Sequence, residues 1–241
     1  MRVAVITGGC SGIGQKVAEK FLENKWKVVV LDREQNSSNI IDNYTYLKTE
    51  LKDERAIEKS FNIISGEFSE INALVNCAGI IEDEISLTDL NKKKFEEVIS
   101  VNLTAVFLTC KYCLPLLRHS SDSSIINIGS ISGTKKNSKY LAYSASKAGL
   151  VSLSFSLAKQ LAKNKIRVNI VSPGSVINTG FSGRYSKNKL SFKDKIQLIK
   201  QSPMAEIITP ESIADIVYFL TSYESRHITG ANIIVDAGIS L

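Results

Sequence analysis

A phenol and an amine four residues apart carry the clearest chemistry in this chain. They stand in Tyr143-Ser144-Ala145-Ser146-Lys147, near the start of a long helical pattern. Residues four apart on a helix share a face, so the Tyr143 hydroxyl and the Lys147 amine can project into one site. A phenol with a pKa of about 10 is a poor base at pH 7. An ammonium beside it favours the phenolate and lowers that value. The pair can then exchange a proton with an alcohol or a carbonyl. Ser130, which follows an apolar strand-like run, can hold the substrate oxygen. The same spacing also occurs as an ordinary surface pair, and the residues alone leave that alternative open.

A second constellation suits an anion. The apolar run Val3-Ala4-Val5-Ile6 leads into Thr7-Gly8-Gly9-Cys10-Ser11-Gly12-Ile13-Gly14, and a helical pattern follows with apolar residues at 17, 18, 21 and 22. Strand, glycine turn and helix together leave backbone N–H groups free at a helix N-terminus, where a phosphate binds well. Gly8 permits a tight turn, Gly12 permits close approach of a pyrophosphate, and Gly14 permits close helix packing. The spacing is G-x-x-x-G-x-G rather than G-x-G-x-x-G, so a plain strand–helix turn stays open. Asp32 closes the second strand, eighteen residues after Gly14. A carboxylate there accepts both ribose hydroxyls and repels a 2′-phosphate, which favours NAD over NADP. The adjacent Arg33 can meet a 2′-phosphate, but no basic residue lies between Gly8 and Gly14 to assist it. Asp32 also suits a simple turn. Asn76-Cys77-Ala78-Gly79 forms a small turn that lets backbone pass close to a ribose.

These residues need a frame. Strands are predicted at 3–6, 26–31, 44–48, 71–76, 124–129, 166–171 and 232–235. Helices are predicted at 15–22, 53–68, 91–119 with an interruption before Val101, 141–162 and 210–221. Buried strands alternating with helices of this length imply an α/β fold. Its form is a doubly wound parallel sheet of about seven strands with helices on both faces. Crossovers should be right-handed, with ligand at the carboxyl ends of the strands. At 241 residues and 44% hydrophobic content, with no linker or repeat, residues 1–241 read as one domain.

Composition excludes several classes. Thirty Lys and Arg against twenty-four Asp and Glu give a net charge of +6. The basic residues are scattered, with short runs only at Lys92-Lys93-Lys94 and Lys135-Lys136, which argues against a nucleic-acid partner. No run of eighteen apolar residues occurs, so no membrane span is expected. Strand-like sequence from residue 2 leaves no room for a targeting segment, and a cytoplasmic location is expected. Cys110 and Cys113 have metal-ligand spacing but no second pair completes a site. All four cysteines, with Cys10 and Cys77, read as buried free thiols and no metal is expected. His119 and His227 have no companion motif.

Taken in order, the glycine turn, Asn76-Cys77-Ala78-Gly79, Asn102, Ser130 thirteen before Tyr143, Tyr143 four before Lys147, and Pro173-Gly174 resemble the short-chain dehydrogenase/reductase family over essentially the whole chain. The resemblance implies a Rossmann-like fold and NAD(H)-dependent hydride transfer between a secondary alcohol and a ketone. It implies Tyr143 as general acid/base, Ser130 orienting the substrate oxygen, and Lys147 lowering the tyrosine pKa and holding the nicotinamide ribose. It also implies that Asn102 supports a proton-relaying water chain. Cofactor contacts are implied from Thr7, Gly8, Cys10, Ser11, Gly12, Ile13 and Gly14 and from Asp32 and Arg33. Asn76, Ala78, Gly79, Pro173, Gly174, Val176, Ile177 and Thr179 are implied as well, Thr179 at the nicotinamide carboxamide. Glu50-Leu51 stands where the family has Asp and an aliphatic residue at the adenine, and Cys77 replaces an asparagine. Residues 180–200 fall where the family places a substrate lid. Its Arg184, Lys187, Lys189 and Lys193 permit an anionic substrate. A homotetramer or homodimer is implied, with Leu150, Leu153, Leu157 and Leu161 as a stripe that faces either a partner copy or the sheet. Two alternatives stay open. One is a 3-oxoacyl-[acyl-carrier-protein] reductase using NADPH, although the basic residue usual in its glycine turn is missing. The other is a dinucleotide-binding sensor without turnover.

Overall fold

A computed structural model describes residues 1–35, 42–134, 139–177, 179, 196, 198–200 and 202–241. The strands are β1 (Val3–Thr7), β2 (Lys27–Asp32), β3 (Tyr44–Lys48), β4 (Ala73–Asn76), β5 (Ser123–Ile128), β6 (Ile166–Pro173) and β7 (Asn232–Val235). The helices are α1 (Gly12–Glu23), α2 (Glu54–Glu67), α3 (Lys92–Ile99), α4 (Ala105–His119), α5 (Leu141–Leu161) and α6 (Pro210–Thr221). All strand pairs are parallel and form one sheet in the order β3-β2-β1-β4-β5-β6-β7. Chain order reverses beside β1, between β2 on one side and β4 on the other. That reversal opens a crevice at the carboxyl ends of β1 and β4.

Residues of β1, β4, β5 and β6 are buried throughout, which is why these strands read as continuous apolar runs rather than alternations. Successive residues point to opposite faces. Val3 and Val5 join a core with α2, α4 and α5, whereas Ala4 and Ile6 join a second core with α1 and α6. Leu150 and Leu161 are buried in the first core, and Leu153 and Leu157 are partly buried against it. The leucine stripe of α5 therefore faces the sheet.

Most predicted elements occur within two residues of their expected ends. Asp53 caps α2, its carboxylate accepting the Arg55 N–H at 2.9 Å, and Thr209 caps α6 ahead of Pro210. β6 runs on to Pro173 because Ser172 and Pro173 pair with Ile234 and Val235 of β7. The interruption expected before Val101 takes another form. Between α3 and α4 the chain makes a π-turn at Ser100–Thr104, so the helix widens there without breaking. The run Lys92–His119 is long and apolar enough to cross a membrane by length and composition. Half of its apolar window is buried inside the fold, where α4 packs on α2, β4 and β5.

Cys110 and Cys113 are buried free thiols as expected, but Cys10 and Cys77 are only half-buried, because both stand at strand ends beside the crevice. His119 and His227 are exposed. Among the described residues no cluster of metal-ligating side chains occurs. Lys135-Lys136 and most of the lid expected over residues 180–200 lie outside the described residues.

The glycine turn is held by backbone contacts with no slack. Gly8 has φ +67°, and a Cβ there would stand 2.7 Å from the Ala78 Cα. A Cβ on Gly14 would stand 2.1 Å from the Gly8 carbonyl oxygen. Gly14→Ala is therefore expected to push α1 off the turn. Overpacking of this kind costs about 1–3 kcal/mol, so Tm should fall by about 5 °C, and thermal unfolding checks it. A wild-type Tm would show that the turn yields freely.

Candidate active site

A groove of about 740 Å³ opens along the carboxyl ends of the central strands. Its floor is the turn between β1 and α1, with Gly8, Ser11, Gly12, Ile13 and Gly14 all lining it. Ser11 is the α1 N-cap in an extended conformation, yet its side chain makes no capping bond and the first helical turn holds no acidic residue. The positive end of α1 thus meets the groove without an internal counter-charge. Thr179 lies across from Gly12, 3.6 Å from where a Cβ would be, and Pro173, Gly174 and Val176 line the same wall.

Asp32 ends β2 half-buried at the groove edge. One of its oxygens accepts the Cys10 N–H at 3.1 Å and the other the Glu34 N–H at 3.4 Å. Arg33 is exposed at the rim and pairs with Glu34 at 3.5 Å. Further along, Glu50 and buried Leu51 line the groove beside Val101. Glu50 accepts the Lys52 N–H at 3.1 Å.

Cys77, Ala78 and Gly79 line the groove after β4. Burial pushes the Cys77 thiol up to about 12, so it stays protonated at neutral pH. Five residues of the expected site stand behind the lining. Thr7 accepts the Ala78 N–H at 3.2 Å. Cys10 turns its thiol toward the Tyr44 hydroxyl, 3.9 Å away. Asn76 donates to Asn127 and accepts from Thr109, both at 2.8 Å. Ile177 donates its N–H to Ile208. Asn102 is fully buried, accepts the Ile80 N–H and donates to the Ile80 carbonyl, both at 2.8 Å, and donates to Ser146 at 3.0 Å. Both amide hydrogens of Asn102 are thereby spent on the protein itself.

Ser130, Tyr143 and Lys147 converge at the inner end of the groove, and all three are buried. Ser130 begins the short turn after β5, where its hydroxyl accepts the Ser132 N–H at 3.1 Å and hydrogen-bonds the Tyr143 side chain. Lys147 donates to the Ile128 carbonyl at 2.7 Å, and its Nζ lies 5.7 Å from the Tyr143 ring centre. Burial dominates both ionisations. It drives the Tyr143 phenol up to about 12, with the Glu82 charge adding to the rise and the Ser130 bond opposing it. It drives the Lys147 ammonium down to about 8. The lowered phenol expected from the lysine's proximity is thus absent from this geometry, because desolvation outweighs an ammonium that is itself turned toward Ile128.

Three participants went unread in the sequence. Ser146 donates to the Tyr143 carbonyl at 2.7 Å. Tyr140 lines the groove ahead of α5. Glu82 is buried against the α5 N-terminus. In Glu82-Asp83-Glu84 the last of these looks like part of a solvated acidic run, and no local signal marks it out.

Known proteins resemble this chain in sequence and in fold. Residues 8–240 match a family model described as Enoyl-(Acyl carrier protein) reductase. The chain is 35% identical to carbonyl reductase family member 4 of Xenopus laevis, covering 100% of this chain and 98% of that one. It is 32% identical to the 3-oxoacyl-[acyl-carrier-protein] reductase FabG of Escherichia coli strain K12, covering 99% and 97%. The ligand-free aldohexose dehydrogenase of Thermoplasma acidophilum superposes with a TM-score of 0.91 at 28% identity over 99% of this chain and 94% of that one. A short-chain dehydrogenase from Leptospira borgpetersenii with bound NAD+ superposes with a TM-score of 0.88 at 28% identity, covering 100% and 93%. Likeness this extensive, in sequence as well as in shape, makes the chain a member of the short-chain dehydrogenase/reductase family of oxidoreductases.

Proposed function

We propose that this chain catalyses reversible NAD(H)-dependent hydride transfer between a secondary alcohol and a ketone. One observation carries the reading: a phenol, a hydroxyl and an ammonium are buried together at the inner end of a groove whose other end suits a pyrophosphate. The groove fits a nicotinamide dinucleotide because a Cβ at Gly12 would stand between the turn and Thr179, 3.6 Å away, and because no side chain caps the α1 N-terminus. That cofactor supplies the hydride chemistry when bound.

The protein's part is proton transfer and orientation. Tyr143 takes the hydroxyl proton in oxidation and returns one to the carbonyl oxygen in reduction. Ser130 holds that oxygen beside the phenol. With a value of about 8, Lys147 is still about nine-tenths protonated at pH 7, so it supplies positive charge where a phenolate forms. Asn102 holds the loop and helix between which the site is built. Thr7, Cys10, Asn76 and Ile177 back the cofactor wall, and the residues lining it make the direct contacts. Asp32 sets the preference for NAD by repelling a 2′-phosphate.

A second reading has its own support. The full-length likeness to FabG favours a 3-oxoacyl-[acyl-carrier-protein] reductase using NADPH, and Arg33 at the rim offers a partner for a 2′-phosphate. Exposed Phe107 on α4 and Phe155 on α5 support self-association, as a dimer or tetramer, through those helices. A panel of alcohols, sugars and hydroxy acids with NAD and NADP, run beside 3-oxoacyl thioesters with NADH and NADPH and followed by absorbance of the reduced nicotinamide, tests the main reading. Turnover confined to 3-oxoacyl thioesters with NADPH would replace it with the second.

In that assay Tyr143→Phe should lower kcat at least about a hundredfold with dinucleotide affinity retained, and near-normal turnover would remove Tyr143 from the reaction. Asp32→Ala should raise the NADP-to-NAD ratio of kcat/KM at least about tenfold, whereas an unchanged ratio would show that Asp32 does not read the ribose. Lys147 yields a stability prediction with a definite sign. Its native value of about 8 lies below the unfolded 10.5, so between these the unfolded chain binds more protons and stability rises with pH. Relative to Lys147→Met, the native chain should gain up to about 3 kcal/mol across that window, measured by urea unfolding at stepped pH.

A further inference from the structure

The short loop after β4 reaches the candidate active site twice. Ala78 and Gly79 line the groove. Three residues on, Glu82 is only 3% exposed, and its carboxylate is spent on the main chain of α5. One oxygen accepts the Ala142 N–H at 2.6 Å and the Tyr143 N–H at 3.3 Å, and the other accepts the Tyr143 N–H at 3.0 Å. Helix α5 has no capping bond from its own N-cap, Tyr140, and no acidic residue in its first turn. Its orphan N–H groups and positive end are satisfied from outside, by a residue some sixty positions earlier.

The other side of Tyr143 is held through the same loop. Its carbonyl accepts from Ser146, Ser146 accepts from Asn102, and Asn102 grips both backbone groups of Ile80. Loop 80–82 therefore fixes the tyrosine main chain at its N–H and at its C=O. A buried carboxylate is a costly way to cap a helix when serine or asparagine does so at little expense. What Glu82 adds beyond a neutral cap is charge.

We infer that Glu82 is a positioning residue, which pins the Tyr143 main chain from the groove-lining loop and sets a buried carboxylate on that residue's own backbone N–H. The inference rests on the acid–base role given to Tyr143 above. Ser130 hydrogen-bonds the phenol and the Lys147 amine lies 5.7 Å from its ring centre, while Cys77, Asp83 and Tyr140 line the same groove. The Glu82 charge raises the phenol's proton affinity and Ser130 opposes it. Removing the Glu82 charge should therefore ease ionisation of the phenol.

The test uses the full chain labelled with [13Cζ]tyrosine, the Tyr143 resonance being assigned by its loss in Tyr143→Phe. In Glu82→Gln the Tyr143 titration midpoint, and the acid limb of kcat/KM for alcohol oxidation, should move to lower pH by about one unit. The value of kcat should fall about tenfold, with dinucleotide affinity held within about twofold. Glu82→Asp keeps the charge but is one methylene short, so kcat should fall while the midpoint stays. An unmoved midpoint in Glu82→Gln, with kcat lost only in proportion to Tm, would reduce Glu82 to a helix cap and overturn the inference. If Glu82→Gln does not fold, wild-type kcat in Glu82→Asp overturns it. Should the native chain oxidise no alcohol at all, the enzymatic reading fails, while the resonance titration still decides for or against Glu82.

Discussion

This fold takes the Lys147 ammonium out of water, a step that is costly unless the charge finds a partner. Lys147 is 3% exposed, no carboxylate lies within ion-pair distance of it among the described residues, and its bond is to the Ile128 carbonyl. Ile128 is the last residue of β5, where the ladder to β4 has already ended at Asn76. A strand terminus leaves backbone acceptors that a sheet interior has already used, so the end of β5 is where a lysine on a covering helix can be taken out of water. The depressed lysine and the elevated phenol are two results of that one choice, since both groups sit where their charged forms are poorly solvated. A doubly wound sheet offers such strand ends only along one edge of the molecule, and the groove follows that edge.

Expensive groups need walls that do not give way. Behind the groove the polar side chains saturate one another. Asn76 joins Asn127 and Thr109, Asn127 donates to Ser154, and Ser154 donates to the Leu150 carbonyl. This chain of bonds ties β4 and β5 to α4 and α5 through the core. Its members are almost wholly buried, so breaking one bond strands a partner away from water, which costs more than the bond itself contributes. The π-turn at Ser100–Thr104 serves the same end. It sets Asn102 where one side chain can hold the loop at Ile80 and the helix at Ser146.

The readable parts of this design are those in which one residue type at one spacing answers a local need. Strand ends at 44–48 and 232–235 and the helix 210–221 fall as expected because turn residues, Pro210 and apolar periodicity all act within a few positions. The glycine turn and the Tyr143–Lys147 spacing are legible for the same reason. Glu82 is not, since its partners are some sixty residues away and only the fold joins them. An irregularity before Val101 is legible, but not its form as a π-turn, because one extra residue in a helical turn leaves the apolar pattern almost intact. The leucines of α5 could be read toward a partner or toward the sheet, and only the burial of Leu150 and Leu161 decides. The meeting of Tyr143 and Lys147 is legible, but the direction of the phenol's shift is not, because spacing reports who is near and not how much water is left.

Asp32 shows how little freedom the turn retains. The oxygen that accepts the Cys10 N–H fastens the end of β2 to the middle of the glycine turn, so the carboxylate at the groove edge also shapes the turn at its floor. Arg33 has no such tie; it is exposed and pairs with its neighbour Glu34, a contact worth little in water. A change at position 33 therefore alters charge at the rim and nothing beneath it. A change at position 32 alters charge and frees the Cys10 N–H together, so its effect on cofactor choice cannot be separated from its effect on the turn unless an isosteric amide is compared with a full truncation. Asparagine at 32 keeps one acceptor for Cys10 while removing the charge, and the difference between it and alanine measures how much of the groove's selectivity is electrostatic and how much is shape.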